Sequence, residues 1–228
     1  MALYAIGDLH LCLGAPKPMD IFGGAWTGYM DKLKAGMSVI GPDDTTVLLG
    51  DLSWALDLEA SKPDFAWINE IPGRKIILKG NHDYWWKSSS KLEARYPGMR
   101  FLKNDFDTYE DWAVCGTRGW LCPNDVRFTE QDKKIYEREQ VRLKLSLDAA
   151  MRKGAEKIIL MMHYPPMNDK KEDSAFTELF QEYPIKKVIY GHLHGEASHA
   201  TGFEGERNGI EYELVAADYI DFCPKRIL

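Results

Sequence analysis

The chain has 228 residues and a mass of 26.1 kDa, enough for one large domain that buries roughly 70% of its unfolded surface. Its composition is 45% hydrophobic, 12% aromatic and 28% charged, which excludes disordered, collagenous and fibrous classes. A net charge of −6 and a pI near 5.6 argue against wholesale binding to nucleic acid or anionic lipid.

In chain order, strands are expected at Leu3 to Ile6, Thr45 to Leu49, Lys75 to Lys79, Ala113 to Gly116, Lys157 to Met162, Lys187 to Tyr190 and Glu211 to Ala216. Most are continuous Val/Ile/Leu runs of the kind buried on both faces, so the sheets should lie beneath helices. Helices are expected within Asp20 to Gly41, at Ser61 to Glu70 before Pro72-Gly73, and at Glu130 to Lys153. In the last, Ile135, Leu143, Leu147 and Met151 recur at helical spacing and Gly154 supplies the stop. The alternation is that of an α/β protein. Leu11 to Gly28 and Gly116 to Phe128 read as long loops, where binding contacts concentrate. No repeat or linker divides the chain, so residues 1–228 are expected to form a single domain.

No stretch approaches the roughly 18 consecutive apolar residues of a membrane span. The start has no basic region, and Asp8 comes too early for a signal peptide, so a cytoplasmic location and no membrane partner are expected. Cys12, Cys115, Cys122 and Cys223 form no CxxC pair and are expected to be small buried apolar residues rather than a disulfide framework.

The chemistry is concentrated in the residues just past the strand ends. The groups are Gly7-Asp8-Leu9-His10, Gly50-Asp51-Leu52-Ser53, Gly80-Asn81-His82-Asp83, His163-Tyr164-Pro165-Pro166 and Gly191-His192-Leu193-His194. Ligands of open α/β sheets bind outside the carboxyl ends of the strands, so five strand ends would deliver Asp, His and Asn to one edge. Residues two apart on an extended chain point the same way, which pairs Asp8 with His10 and His192 with His194. Five of the six histidines fall in these groups, and only His199 lies outside.

These five groups, in this order, resemble the motifs of the calcineurin-like metallophosphoesterase superfamily, and they span the chain from Asp8 to His194. The resemblance implies an α/β four-layer α-β-β-α sandwich of two mixed sheets flanked by helices, with a binuclear metal site at the sheet edge. It also implies that Asp8, His10 and His194 hold a first metal, that Asn81, His163 and His192 hold a second, and that Asp51 bridges them. His82 would be the acid beside the site, with Asp83 or another carboxylate orienting its ring.

Mixed nitrogen and oxygen donors suit Mn, Fe or Zn better than an all-oxygen Ca or Mg cage. Two such ions activate a bridging hydroxide for in-line attack and neutralise the charge that develops on phosphorus. They would also make the site locally positive inside an acidic protein, attracting an anionic phosphoester. His82, as an imidazolium, would protonate the leaving oxygen.

The substrate is narrowed by departures from the Ser/Thr protein phosphatases of this superfamily. Gly50-Asp51-Leu52-Ser53-Trp54-Ala55 lacks their Gly-Asp-X-X-Asp-Arg arginine, and Gly80-Asn81-His82-Asp83 replaces their Gly-Asn-His-Glu. The better match is a phosphodiesterase or small-molecule phosphohydrolase, with a small phosphoester as partner. Trp54, Tyr84, Trp85 and Trp86 come directly after the ligand-bearing turns, and Trp26 and Trp120 sit in the long loops. Trp85 and Trp120 are expected near substrate, and Arg118 as an extra phosphate contact. Two other functions fit the same groups: a metal-binding interaction scaffold and a nuclease. The complete ligand set counts against the first, and the absence of a basic stripe against the second.

Overall fold

The computed structural model describes residues 1–228, and its first strand, β1 (Leu3–Ile6), is buried on both faces: Leu3, Ala5 and Ile6 have no exposed surface. It belongs to a compact unit formed by Met1–Phe101 and Val215–Leu228. The same unit holds α1 (Tyr29–Met37), β2 (Thr45–Leu48), α2 (Lys62–Glu70), β3 (Arg74–Ile77), α3 (Ser89–Arg95) and β4 (Met99–Phe101). Strands β1 to β4 run parallel in that order, and β11 (Lys225–Arg226) pairs antiparallel with β1. Tyr29, Leu33 and Met37 of α1, with Phe65 and Ile68 of α2, share one core with Ile6, Leu48 and Ile77.

A second compact unit, Leu102–Leu214, contains β5 (Phe106–Tyr109), β6 (Trp112–Thr117), α4 (Glu130–Met151), β7 (Ile158–Met162), α5 (Ala175–Phe180), β8 (Ile185–Tyr190), α6 (Glu196–His199), β9 (Gly205–Arg207) and β10 (Ile210–Leu214). Its sheet has the order β5-β6-β7-β8-β10-β9, parallel inside and antiparallel at both edges. Thr129 and Asp132 form a capping box that starts α4, and Gly154 at φ +79° lies just past its end. The fold is therefore α/β, with two mixed sheets flanked by helices.

The seven expected strands all form. The short edge strands β5, β9 and β11 carry polar sequences such as FDTY, GER and KR, which have no apolar run to announce them. Only Tyr29–Met37 of the expected Asp20 to Gly41 stretch is α-helical, since Gly23, Gly24 and Gly28 adopt positive φ before it. Along α4, Leu143 and Leu147 are buried as expected, but Met151 is 40% exposed and Tyr136 and Ala150 complete the inward face. Cys115 and Cys122 are buried, Cys12 is half-buried and Cys223 is exposed, a correction for that last residue; all four are free thiols. No helix is long and apolar enough to cross a membrane.

Candidate metal centre

In the first unit, the turns that leave β1 and β2 remain zipped together after the strands end. Asp8 N–H donates to the Gly50 carbonyl at 2.9 Å, His10 N–H to the Asp51 carbonyl at 2.9 Å, and Leu11 N–H to the Leu52 carbonyl at 2.9 Å. Asp8, His10 and Asp51 are 0%, 2% and 1% exposed, burial that carboxylates do not adopt without compensation. All three are left-handed, with φ of 62°, 46° and 50°. That conformation costs an L-residue about 1–2 kcal/mol, and such strain persists where the surroundings over-determine it, typically at functional sites.

The turn after β3 completes this group of turns. Asp83, 0% exposed, collects four N–H groups: Leu52 (2.9 Å) and the Trp85 indole (3.0 Å) on Oδ1, Asp51 (2.9 Å) and Gly80 (2.7 Å) on Oδ2. These bonds tie the turn after β2 to the turn after β3 and make Asp83 a positioning residue. Asp51 Oδ1 accepts the His82 N–H at 2.8 Å, and a Cβ on Gly80 would lie 2.1 Å from that same oxygen, so only glycine lets Asp51 approach. Asn81 is half-buried on the same turn. The half-exposed His82 ring points Nε2 to within 4.0 Å of Asp51 Oδ2.

The tryptophans divide between wall and core. Trp54 stacks on His10 with ring centroids 4.7 Å apart and an interplanar angle of 16°, and its centroid lies 4.5 Å from that of His82. Trp26 is buried with its ring edge-on to His10 at 5.8 Å. Trp85, expected near substrate, is fully buried against Phe65 at 4.7 Å and has no surface to offer one. Its indole N–H is spent on Asp83, so its place is the core; Tyr84, 53% exposed, is the outward residue of that turn.

In the second unit, His163 comes directly after β7 with no exposed surface. Its N–H donates to the Arg118 carbonyl at 3.2 Å and its carbonyl accepts the Gly191 N–H at 3.2 Å, so the turns after β6 and β8 bracket it. His192, left-handed at φ 72°, brings Nδ1 to 3.3 Å from His163 Nε2. Tyr164 supports the pair, its ring centroid 3.9 Å from that of His192. His194 is half-buried on the same turn, before Gly195.

Arg118 is held by Glu139 on α4: its Nη2 donates to Oε1 at 3.2 Å, while Glu139, 1% exposed, also binds Thr117 Oγ1 at 2.8 Å and Arg142 Nη1 at 2.6 Å. The Arg118 guanidinium lies over Trp120, whose indole donates to Asp132 at 2.8 Å. Trp120, Tyr164 and His192 line a cavity of about 240 Å³.

Each unit therefore presents expected donors together: Asp8, His10, Asp51 and Asn81 on three linked turns of the first, and His163 with His192 across 3.3 Å in the second. Neutral imidazole nitrogens and buried carboxylates are the donors of borderline divalent ions, so the residues fit such metals. The supporting roles of Glu139 and Tyr164 lie outside what the sequence motifs announce. Glu139 stands four residues from both Ile135 and Leu143, inside the apolar series of α4, and that position is the signal that it faces inward.

In each unit, Asp, Asn or His donors gather on the turns that leave the strands of an α/β sheet, the pattern of a metal-binding protein. The chain belongs to the calcineurin-like phosphoesterase family, whose model matches residues 1–196 and so takes in all five motifs. The chemistry of that family is metal-dependent hydrolysis of phosphoesters. Among individual proteins, it is similar to the Gene 66 protein of Mycobacterium phage L5, at 26% identity over 161 residues, 71% of this chain. The chain spans 61% of that relative's length in the match. The crystal structure of phosphopantetheinyl hydrolase from Mycobacterium tuberculosis shares the fold at 13% identity and a TM-score of 0.63, covering 100% of this chain and 95% of the other. The protein of unknown function AQ665 from Aquifex aeolicus aligns at 17% identity with a TM-score of 0.48, covering 99% and 95%.

Proposed function

We propose that this protein hydrolyses a phosphodiester or a small-molecule phosphate at a binuclear centre, residues 1–228 working as one catalytic domain. Asp8, His10 and His194 would hold one metal ion and Asn81, His163 and His192 a second, with Asp51 shared. Mn, Fe or Zn suits this donor set. Such ions, when bound, supply an activated water and offset the charge that develops on the phosphoryl group. The observation that carries the reading is conformational: Asp8, His10, Asp51 and His192, four of the seven candidate ligands, are all non-glycine residues at positive φ.

The chain's own groups supply the rest. His82 is half-exposed with its backbone N–H tied to Asp51, so its ring can present a proton to the leaving oxygen. Trp54 covers His10 and His82 and restricts water on that side. Asp83 holds the Asp51 and Gly80 turns in register. Arg118 is engaged by Glu139, and a phosphate contact would use its remaining N–H donors. The free cysteines accord with a reducing, cytoplasmic location.

The test is reconstitution with Mn followed by hydrolysis of bis-p-nitrophenyl phosphate and p-nitrophenyl phosphate, with metal analysis alongside. About two metal ions per chain and turnover of at least one ester are expected, with turnover lost in Asp51→Asn. Absence of turnover of both esters by a fully loaded protein would leave the scaffold reading in its place.

A further inference from the structure

The cavity beside His192 lies wholly within the second unit, and the metal-binding reading gives its chemistry no task. Its volume of about 240 Å³ holds one small organic group and falls below the range of about 300–1,000 Å³ typical of drug-sized ligands. One wall is the Tyr164 ring packed on His192, and Val126 and Met167 add apolar surface. Trp120 already meets the Arg118 guanidinium and the Tyr164 ring, whose centroid lies 4.8 Å from its own. An occupant therefore lies against rings already packed on partners and is not clamped between two stacked planes.

The charges lining the cavity are unequal. Asp125 and Arg127 offset one another, with Arg127 Nε 3.6 Å from Asp125 Oδ1 and the Arg127 N–H donating to the same oxygen at 2.9 Å. Asp169 has no such counterpart in the lining, and its Oδ1 is buried without a hydrogen-bond partner. That oxygen is sealed from the cavity, but a negative group brought beside the carboxylate is repelled.

We propose that this cavity receives the organic group of the phosphoester, and that it selects a neutral or cationic ring or short chain against a group with a second negative charge. The proposal rests on the phosphoesterase reading. It makes Asp169 a specificity-determining residue through what the cavity excludes as well as what it binds.

The experiment uses the Mn-loaded protein and three phenyl phosphates that differ only at the para position: hydroxymethyl, aminomethyl and carboxylate. Each is a monoester with one organic group to place. The carboxylate ester is expected to show a KM about tenfold above that of the hydroxymethyl ester, the aminomethyl ester a KM no higher than the hydroxymethyl one, and Asp169→Asn to compress the tenfold gap to about threefold. A second readout needs no metal: saturation-transfer NMR of 4-hydroxybenzyl alcohol against the protein, with the signal lost when Met167→Trp fills the cavity. Turnover with no charge order, or ring binding indifferent to Met167→Trp, overturns the proposal and leaves the phosphoesterase reading standing. Ring binding that Met167→Trp abolishes, in a protein that hydrolyses none of the three esters, supports the cavity assignment and overturns the phosphoesterase reading instead.

Discussion

Asp83 Oδ2 accepts the backbone N–H of Asp51 at 2.9 Å, so one carboxylate on the turn after β3 sets the conformation of another on the turn after β2. With Leu52, Gly80 and the Trp85 indole on the same carboxylate, four buried donors depend on it. Asp83→Ala strands them, and each unsatisfied buried donor costs about 1–3 kcal/mol, of which relaxation recovers part. The expected loss is about 3 kcal/mol in urea denaturation, together with reduced metal content at a fixed Mn concentration. Destabilisation below about 1 kcal/mol would show that Asp83 does not hold these turns.

Gly80 is needed for a different reason. A Cβ there would lie 2.1 Å from Asp51 Oδ1, which holds the His82 N–H, and 2.2 Å from the Asp51 backbone nitrogen, which donates to Asp83. Gly80→Ala is expected to displace the Asp51 turn and lower the melting temperature well beyond the effect of Gly154→Ala. Gly154, at φ +79° with nothing near its Cβ position, carries only the left-handed penalty of about 1 kcal/mol. Equal melting shifts for the two variants would contradict the crowding argument.

Glu139 joins α4 to the turn that supports His163. Its carboxylate pairs with Arg118 and Arg142, and the Arg118 carbonyl accepts from both His163 and Tyr164. Removing one member of a buried ion cluster leaves the others uncompensated, at about 3–5 kcal/mol for a fully buried pair; here both arginines keep some solvent contact, so Glu139→Ala should cost about 2 kcal/mol. Glu139→Gln, which keeps hydrogen-bonding capacity, should cost about half as much. Urea midpoints separate the two, and a Glu139→Gln protein as stable as the wild type would mean that the charge of Glu139 contributes nothing.

Burial pushes the thiols of Cys115 and Cys122 up to about 12, whereas Cys223 is exposed. At pH 8 the thiolate fraction of the two buried groups is then about one in ten thousand, and alkylation needs the thiolate. Iodoacetamide at pH 8 should modify Cys223 and spare Cys115 and Cys122 until the chain is unfolded. The sign for stability comes from linkage: a folded-state pKa raised above the unfolded one means that the native state keeps its proton longer. Stability from these thiols is therefore complete below about pH 8.5 and declines as pH rises toward 12. Fast labelling of Cys115 in the folded protein would refute the burial argument.

Legibility in the sequence tracks how local the deciding interactions are. β1 and β7 are largely apolar runs buried on both faces, and composition alone identifies such strands. The Asp and His ligand candidates are legible because each stands within a short motif after such a run. Trp85 and Trp54 are not separable in this way: both come after ligand-bearing turns, yet one enters the core and the other stacks on His10, a difference set by backbone direction after the turn. Edge strands such as β9 exist only through their partner's hydrogen bonds, and the charge imbalance around Asp169 only through tertiary neighbours.

The strain at the candidate centre makes a last prediction about stability and function together. Asp51 is a carboxylate that is 1% exposed and left-handed at φ 50°. Asn tolerates that conformation better than most residues, keeps an oxygen for the His82 N–H, and removes the buried charge. In chelator, Asp51→Asn should therefore melt a few degrees above the wild type, a gain of about 1 kcal/mol. Mn should reverse the order. Binding to the folded state alone contributes about 2.7 kcal/mol at about a hundred times Kd, a rise of about 5–10 °C for a chain of this size, and Asp51→Asn should lose most of it. Turnover should fall by about two orders of magnitude in the same variant. A wild type whose melting temperature does not respond to Mn, or an Asp51→Asn protein that responds equally, would remove Asp51 from the metal site.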